Sequence, residues 1–293
     1  MAIGFILAGF TILSSVLIFV FNHKTKRLFS SYYFYLSTAC IALIYFLASR
    51  WIWDLQAWIN QDDQNYLGGL DVIKSKVLLL DMCPFLAVFL SLVLMVDRRR
   101  ALASVLAYFA IVGAGITIFG QIMFERIGAG ASPGLAQMSW WEYTFFNKLF
   151  FLMHFYIFIM ALIIILNSPS INWFKLAWAH LYALGYFAYI SVVALSLKID
   201  WNVTGIVAND WGPLGQYHVL GAFFNLPWPW TPIVAFSLVW IWIILMMLLR
   251  NIMVLDPNYI SHQNIAPRTW RRGFARVVAR MGNLTYQRDS GLK

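Results

Sequence analysis

The chain has 293 residues, of which 61% are hydrophobic, 18% aromatic and only 11% charged. Its mean hydropathy of +0.72 is too high, and its share of charged residues too low, for a soluble globular domain. Several apolar stretches follow one another, which excludes a secreted protein with a single signal peptide. The sequence therefore predicts an all-α, multi-pass protein of the cell membrane.

Seven windows of about 20 apolar residues predict a bundle of seven transmembrane helices. The bundle is expected to occupy residues 1–249, and residues 250–293 form a basic tail. The predicted spans run near Ile3 to Phe21, Tyr32 to Ser49, Lys76 to Val96, Ala101 to Gly120, Phe145 to Leu166, Leu176 to Leu197, and Trp230 to Leu249.

The formal net charge of +9 does not indicate a nucleic-acid partner, because the basic residues form short clusters between spans instead of one binding face. Basic clusters follow the first, third, fifth and seventh spans, whereas acidic residues follow the second. The positive-inside rule then places the N-terminus outside and the C-terminus in the cytoplasm. The residues that decide this orientation are Lys24, Lys26, Arg27, Arg98, Arg99, Arg100, Lys175 and the tail arginines, against Asp54, Asp62, Asp63 and Asp71.

Small residues in the fourth span predict close packing against another helix. They are Ala103, Ala107, Ala110 and Ala114, with Gly113 beside them. Membrane lipids are the expected partners of the chain. Other membrane proteins are partners under a second hypothesis, in which it is a non-catalytic subunit that scaffolds a complex through this span and its aromatic outer connectors.

The basic tail contains the segment RTWRRGFARVVAR, for which two interpretations are possible. As an amphipathic helix it would lie on the anionic inner leaflet with its arginines on lipid phosphates. As a solvated tail it would only set the topology. The sequence leaves both interpretations open.

Three chemically active side chains lie inside predicted spans, where ionisable groups are costly and usually functional. Asp81 and Cys83 belong to the third span and His154 to the fifth. Cys83 is seven residues inside Lys76, or about 10 Å at roughly 1.5 Å per residue, and His154 is six residues inside Lys148. A cysteine nucleophile needs a base, and an imidazole at the same depth can supply one.

A spacing of seven residues is close to two helical turns, so it places Lys76 above Cys83 and Asn147 above His154. Lys76 could then hold a lipid phosphate while Asn147 donates a hydrogen bond, an arrangement suited to acyl transfer at a glycerol ester. Asp81 is rotated about 200° from Cys83 in a regular helix. It is expected outside that pocket unless Pro84 distorts the turn.

Each polar residue also has a structural interpretation. Asp81 could pair with Lys74 or a neighbouring tyrosine, and His154 could be a core residue bonded to another helix. A third hypothesis makes the protein a carrier in which Asp81 and His154 bind a proton or a small solute. No G-x-S-x-G, P-loop, H-E-x-x-H or zinc-type spacing is present, so we expect neither a metal nor a cofactor.

Several segments together resemble the YwaF-like integral membrane family of bacteria. They are LLLDMCPFLAVFLSLVLMVDRRR, YFAIVGAGITIFG, FFNKLFFLMHFYIFIMALI, HLYALGYFAYI and LPWPW. A eukaryotic relative of that family, transmembrane protein 164, is a phospholipid acyltransferase. The resemblance implies that Cys83 is the acyl-accepting nucleophile and His154 its partner. Asp81 stands where the family has histidine.

Overall fold

The computed structural model describes residues 3–48, 52, 54–61, 69–98, 100–122, 145–168, 171–199 and 230–253. The described residues form α-helices joined by turns, with π-helical residues at positions 48, 52 and 54 and one longer π-helical segment. The helices are α1 (Ile3–Phe29), α2 (Tyr32–Leu47), α3 (Leu55–Asn60), α4 (Gly69–Val77), α5 (Met82–Val96), α6 (Ala101–Gly115), α7 (Phe145–Asn167), α8 (Trp173–Leu197) and α9 (Trp230–Met253), and the π-helical segment is Ile116–Ile122.

In the part of the chain that the structure describes, four helical stretches are long and apolar enough to cross a membrane, and three shorter apolar helices accompany them. The four are Gly4–Asn22, Ile73–Val96, Ala101–Phe119 and Trp173–Leu197. An all-helical, multi-pass membrane protein is thereby confirmed. The count of seven spans and the orientation in the membrane stay predictions.

The core surrounds α6. Every residue from 103 to 110 is buried, and 67% of the span Ala101–Phe119 lies inside the protein, against 22% for the spans in α1 and α8. Small residues let neighbouring helices approach the α6 backbone, because there is little side chain to hold them apart. The predicted small-residue face is therefore used within the chain, and it is not free to dock a partner protein.

The outer faces of α1 and α8 are apolar and exposed. Phe19 is 61% exposed and Leu13 57% on α1, while Val192 is 63% exposed and Leu195 52% on α8. A water-soluble protein rarely leaves so many large apolar side chains uncovered on one helix. These two faces fit the acyl chains of a bilayer.

Arg100 joins the turn between α5 and α6 to the corner between α1 and α2. Its Nη1 donates to the Phe29 carbonyl oxygen at 3.0 Å and to the Tyr35 hydroxyl at 3.2 Å, and the guanidinium lies 5.1 Å from the centre of the Tyr35 ring. Tyr35, which is fully buried, donates to the same carbonyl at 2.7 Å. The DRRR sequence thus encodes a tertiary contact as well as a topology signal.

Asp97, in the same turn, caps the N-terminal end of α6. Its Oδ2 accepts from the backbone N–H groups of Leu102 at 2.8 Å and Ala103 at 3.1 Å. The first N–H groups of a helix have no partner inside the helix, and a carboxylate there also matches the helix dipole. One short turn therefore supplies both the cap of α6 and the anchor to α1 and α2.

The chain divides into two compact units, Met1–Ile243 and Ile244–Lys293. In the second unit the described residues are the end of α9. The predicted boundary between residues 249 and 250 stays a prediction. The apolar outer connector beyond residue 199 and the basic tail segment RTWRRGFARVVAR lie outside the described residues.

Replacing Arg100 with glutamine is expected to lower the free energy of unfolding by about 1.5 to 3 kcal/mol, because two hydrogen bonds from a charged donor are lost. The measurement is unfolding by SDS in mixed micelles. Arg27→Gln is the matched control, since Arg27 is an exposed arginine on the last turn of α1. Equal stability of the two variants would refute the structural role of Arg100.

Candidate functional site

The third predicted span is broken. The apolar stretch Ile73–Val96 has the length of a membrane span, yet α4 ends at Val77 and α5 begins at Met82. The continuous helix that we expected from Lys76 to Val96 is therefore wrong. The break matters chemically because it frees backbone polar groups within a stretch of membrane-span length, and lipid would offer those groups no hydrogen-bond partner.

The end of α4 is closed by local hydrogen bonds. The Leu80 N–H donates to the Ser75 carbonyl at 2.9 Å, the Leu79 N–H donates to the Lys76 carbonyl at 3.2 Å, and Leu79 has a φ of 54°. These are the features of a Schellman motif, which usually has glycine at the left-handed position. A leucine there costs roughly 1 to 2 kcal/mol, so the surrounding structure has to hold it in place.

The start of α5 follows from Asp81 and Pro84. Asp81 is extended, with φ −84° and ψ 143°, and its carbonyl accepts the first helical bond from the Phe85 N–H at 3.1 Å. Pro84 lies in the first turn, where its missing N–H removes no helical bond. Pro84 thus sits where a helix begins, and it does not kink a helix that passes through.

Two tyrosines on α8 bind the carbonyl groups that the break leaves free. The Tyr186 hydroxyl donates to the Leu80 carbonyl at 2.9 Å, and the Tyr189 hydroxyl donates to the Leu78 carbonyl. Tyr186 and Tyr189 are three residues apart and share one helical face. The break is therefore completed by a helix that is 106 to 111 residues away in sequence.

Cys83 is buried in the first turn of α5, 8% exposed, against α6. Its sulfur lies 4.0 Å from the Thr117 hydroxyl oxygen. Thr117 donates its single hydroxyl proton to the Gly113 carbonyl at 3.1 Å, so the thiol is the donor in this weak contact. Thr117 belongs to the π-helical segment Ile116–Ile122, and such segments are frequent at functional sites.

Gly113 makes this approach of α5 to α6 feasible. A Cβ atom at position 113 would lie 2.6 Å from Cε of Met82 and 3.3 Å from the sulfur of Cys83. The flexible end of Met82 could move away, and the Cys83 side chain would also have to shift by a few tenths of an ångström. Glycine at this position therefore permits the close packing of Met82 and Cys83 against α6.

Asp81 lies two residues before Cys83 and outside the regular helix that our expectation assumed. The carboxylate is within electrostatic range of the Cys83 thiol and of the Tyr186 hydroxyl. Because Asp81 precedes α5 as its N-cap residue, helical rotation does not apply to it, and its place relative to the pocket stays a prediction. Lys74, the proposed partner of Asp81, pairs with Asp71 at 2.9 Å.

The other predicted site residues lie on α4 and α7. Lys76 is half-buried in the last turn of α4, and the break removes the helical face that it was expected to share with Cys83. His154 is 2% exposed on α7. The side chain of Asn147 lies outside the described residues. The pairing of Cys83 with His154 stays a prediction.

Tyr182, which was not predicted as a site residue, lies on the same face of α8, four residues before Tyr186. Its hydroxyl is buried and has no hydrogen-bond partner among the described residues, and its ring stacks on Tyr186 at 6.2 Å. The Ser75 hydroxyl of α4 is also buried and has no hydrogen-bond partner among the described residues. The tyrosine spacing in HLYALGYFAYI was a signal for this face, but it was used only as part of a resemblance. Unsatisfied buried hydroxyls are uncommon and call for a water, an ion or a ligand.

A profile of the family of unknown function DUF5378 matches residues 9–276. The chain belongs to this family. Uncharacterized protein MG135 of Mycoplasma genitalium is 29% identical over 263 residues, which cover 85% of this chain and 90% of that protein. A homologue of MG135 in Mycoplasma pneumoniae is 31% identical over 203 residues, which cover 66% of each chain. No solved structure matches the chain.

Within the described part of this DUF5378 protein, no three His, Cys, Asp or Glu side chains come together as a metal site. The polar groups around the break are a carboxylate, a thiol and hydroxyls, together with backbone carbonyls. Such groups can bind a proton or a small polar molecule by hydrogen bonds. The site's chemistry therefore depends on Asp81, Cys83 and the α8 tyrosines.

Tyr186→Phe is expected to lower the free energy of unfolding by about 1 to 3 kcal/mol, because the buried Leu80 carbonyl loses its partner. The measurement is again unfolding by SDS in mixed micelles. The control is Tyr33→Phe, at a tyrosine that is 78% exposed, and it should change the stability by less than about 0.5 kcal/mol. If Tyr186→Phe were as stable as the control, α8 would not be what holds the break.

Proposed function

We propose that the chain crosses the cell membrane seven times, with its N-terminus outside and its C-terminus in the cytoplasm. Helix directions support this arrangement. The Asn167 amide donates to Asn22 at 3.0 Å, which joins the C-terminal ends of α1 and α7, and Tyr32 of α2 donates to the Met95 carbonyl near the end of α5. Spans one and five then run in parallel and spans two and three run antiparallel, as alternating crossings require.

We propose further that the protein is a carrier that binds a proton or a small polar solute at the break in the third span. The observation that carries this proposal is the interruption of a membrane-length helix between Val77 and Met82. In membrane carriers, broken helices place free backbone groups and helix ends around the transported species. Irregular backbone at that depth is otherwise expensive, so its presence favours a role in binding.

The site offers both proton exchange and hydrogen bonding. Asp81 supplies a group that can take up a proton, and the unsatisfied Tyr182 hydroxyl can bind a polar ligand. His154 is the second proton-binding group of this proposal. The first turn of α5, with its free N–H groups, would favour an anionic part of the ligand.

Cys83 can report ligand binding directly, because the chain has two cysteines and Cys40→Ala leaves Cys83 as the only thiol. In proteoliposomes of this variant, one class of small polar solute is expected to slow alkylation of Cys83 by N-ethylmaleimide. The same solute should acidify vesicles that contain a pH-sensitive dye. Asp81→Asn should abolish both effects, because the group that exchanges the proton is gone.

Asp71→Asn is the matched control, since Asp71 is a half-buried carboxylate on α4 that is paired with Lys74 at 2.9 Å. It should keep both the protection and the acidification. Alkylation of Cys83 that no solute class slows would contradict a binding site at the break. Protection without acidification would contradict the carrier and leave only a binding role.

A second candidate function is acyl transfer on a phospholipid or lipid-linked substrate, with Cys83 as nucleophile and His154 as base. The position of Cys83 in the first turn of α5, near Thr117, supports it, because a helix N-terminus favours negative charge on the sulfur or on a developing oxyanion. Lys76, Asn147 and Asp81 would contact the substrate. The resemblance to the YwaF-like family favours the same chemistry.

Incubation with labelled phospholipid followed by intact mass spectrometry tests this candidate. The native chain should gain the mass of one acyl group, and Cys83→Ser should lose at least 90% of the thioester adduct, whereas Cys40→Ser should keep it. An unmodified native chain would argue against acyl transfer. His154→Gln distinguishes the role of the base from that of the nucleophile. The adduct should form more slowly in this variant, because the base is lost while the thiol remains.

Under the scaffold hypothesis, only the outer faces of the bundle are available to contact a partner protein. Because the small residues of α6 are buried within the chain, a partner protein would have to pack on the exposed faces of α1 or α8. Nothing in the described residues favours a protein over lipid on these faces. Scaffolding is therefore the weakest of the three proposals.

A further inference from the structure

The basic residues at one end of the bundle are gathered by tertiary contacts. Arg100 binds the Phe29 carbonyl, which brings the last turn of α1, with Lys26 and Arg27, to the turn between α5 and α6. In the same turn, the Arg98 guanidinium lies 5.2 Å from the centre of the Tyr32 ring. We name Lys26, Arg27 and Arg98 the basic corner, and all three side chains are exposed.

The basic corner has little acidic charge to neutralise it. Asp97 is the one acidic residue in the two segments 21–35 and 95–104. Its carboxylate already accepts two backbone N–H groups of α6. Among the described residues, no ion pair involves Lys26, Arg27 or Arg98. The exposed cationic groups are therefore available to an anion from outside the chain.

The surroundings of the basic corner select a lipid over a soluble anion. Leu28 is 52% exposed beside it, and Val20 is 53% exposed two turns earlier on α1. Apolar side chains of this kind match acyl chains, while the cations lie where the headgroup would be. The Tyr32 ring under Arg98 orients the guanidinium and leaves its N–H groups free for phosphate oxygens.

We propose that the basic corner binds the phosphate of an anionic phospholipid, with the acyl chains along the exposed face of α1. Arg98 supplies paired donors to the phosphate, and Lys26 and Arg27 supply charge from the neighbouring helix. This site is independent of the break in the third span, which lies at the other end of α5. Its failure would leave the carrier and acyl-transfer proposals untouched.

The test is competitive lipid retention by the full-length chain in mixed micelles, read by native mass spectrometry. Phosphatidylglycerol should be retained in preference to phosphatidylcholine. A basic residue at an anionic surface contributes about 1 kcal/mol, or about a fivefold change in affinity. Arg98→Gln should therefore reduce the preference about fivefold, and Arg98→Gln with Arg27→Gln about 25-fold.

Lys198→Gln is the control for loss of one charge, because Lys198 is exposed after the C-terminal end of α8, and it should keep the full preference. Arg98→Lys with Arg27→Lys should keep most of the preference if charge at this corner is the cause. Equal retention of both lipids by the native chain, or equal losses in Arg98→Gln and Lys198→Gln, would overturn the proposal. Millimolar inorganic phosphate that displaces phosphatidylglycerol completely would also overturn it, because the site would then be one for free phosphate.

Discussion

The hydrogen bonds from two tyrosines of α8 to the broken third span are the interactions on which the interior depends. A backbone carbonyl inside a bilayer must find a partner within the protein, since lipid offers none. Tyr186 and Tyr189 meet that requirement for Leu80 and Leu78. With those bonds in place, a polar site can exist at a depth where the rest of the sequence is apolar.

Two irregular segments meet where Cys83 contacts Thr117. One is the interrupted helix before α5, and the other is the π-helical turn that follows α6. Gly113 allows the two to lie close together, because a side chain there would meet the sulfur of Cys83 at 3.3 Å. The same geometry suits a carrier and an acyltransferase, since both need polar groups held rigidly in a low-dielectric interior. What separates the two functions is whether the thiol forms a bond or lines a path.

At the opposite end of α5, charged side chains make the contacts between helices. The short DRRR turn caps α6 through Asp97, fixes the corner of α1 and α2 through Arg100, and presents Arg98 outward over an aromatic ring. Each arginine described there has its own environment. Charged residues in a short turn can therefore also build tertiary structure, and in this turn they tie α6 to the corner of α1 and α2.

Periodicity and hydropathy were enough to predict a helical membrane protein, the burial of Cys83 and His154, and the close packing of α6, because these features depend on local composition. The break in the third span was not predicted. Its apolar sequence also suits a continuous helix, and the cost of interrupting it is met by tyrosines more than 100 residues away. Only the tertiary structure could therefore decide that Asp81 precedes a new helix and that Lys76 and Cys83 do not share one helical face. Composition determined the membrane and the helices, and contacts between distant helices decided the site, because an unpaired carbonyl in lipid is stabilised only by a partner that the fold brings to it.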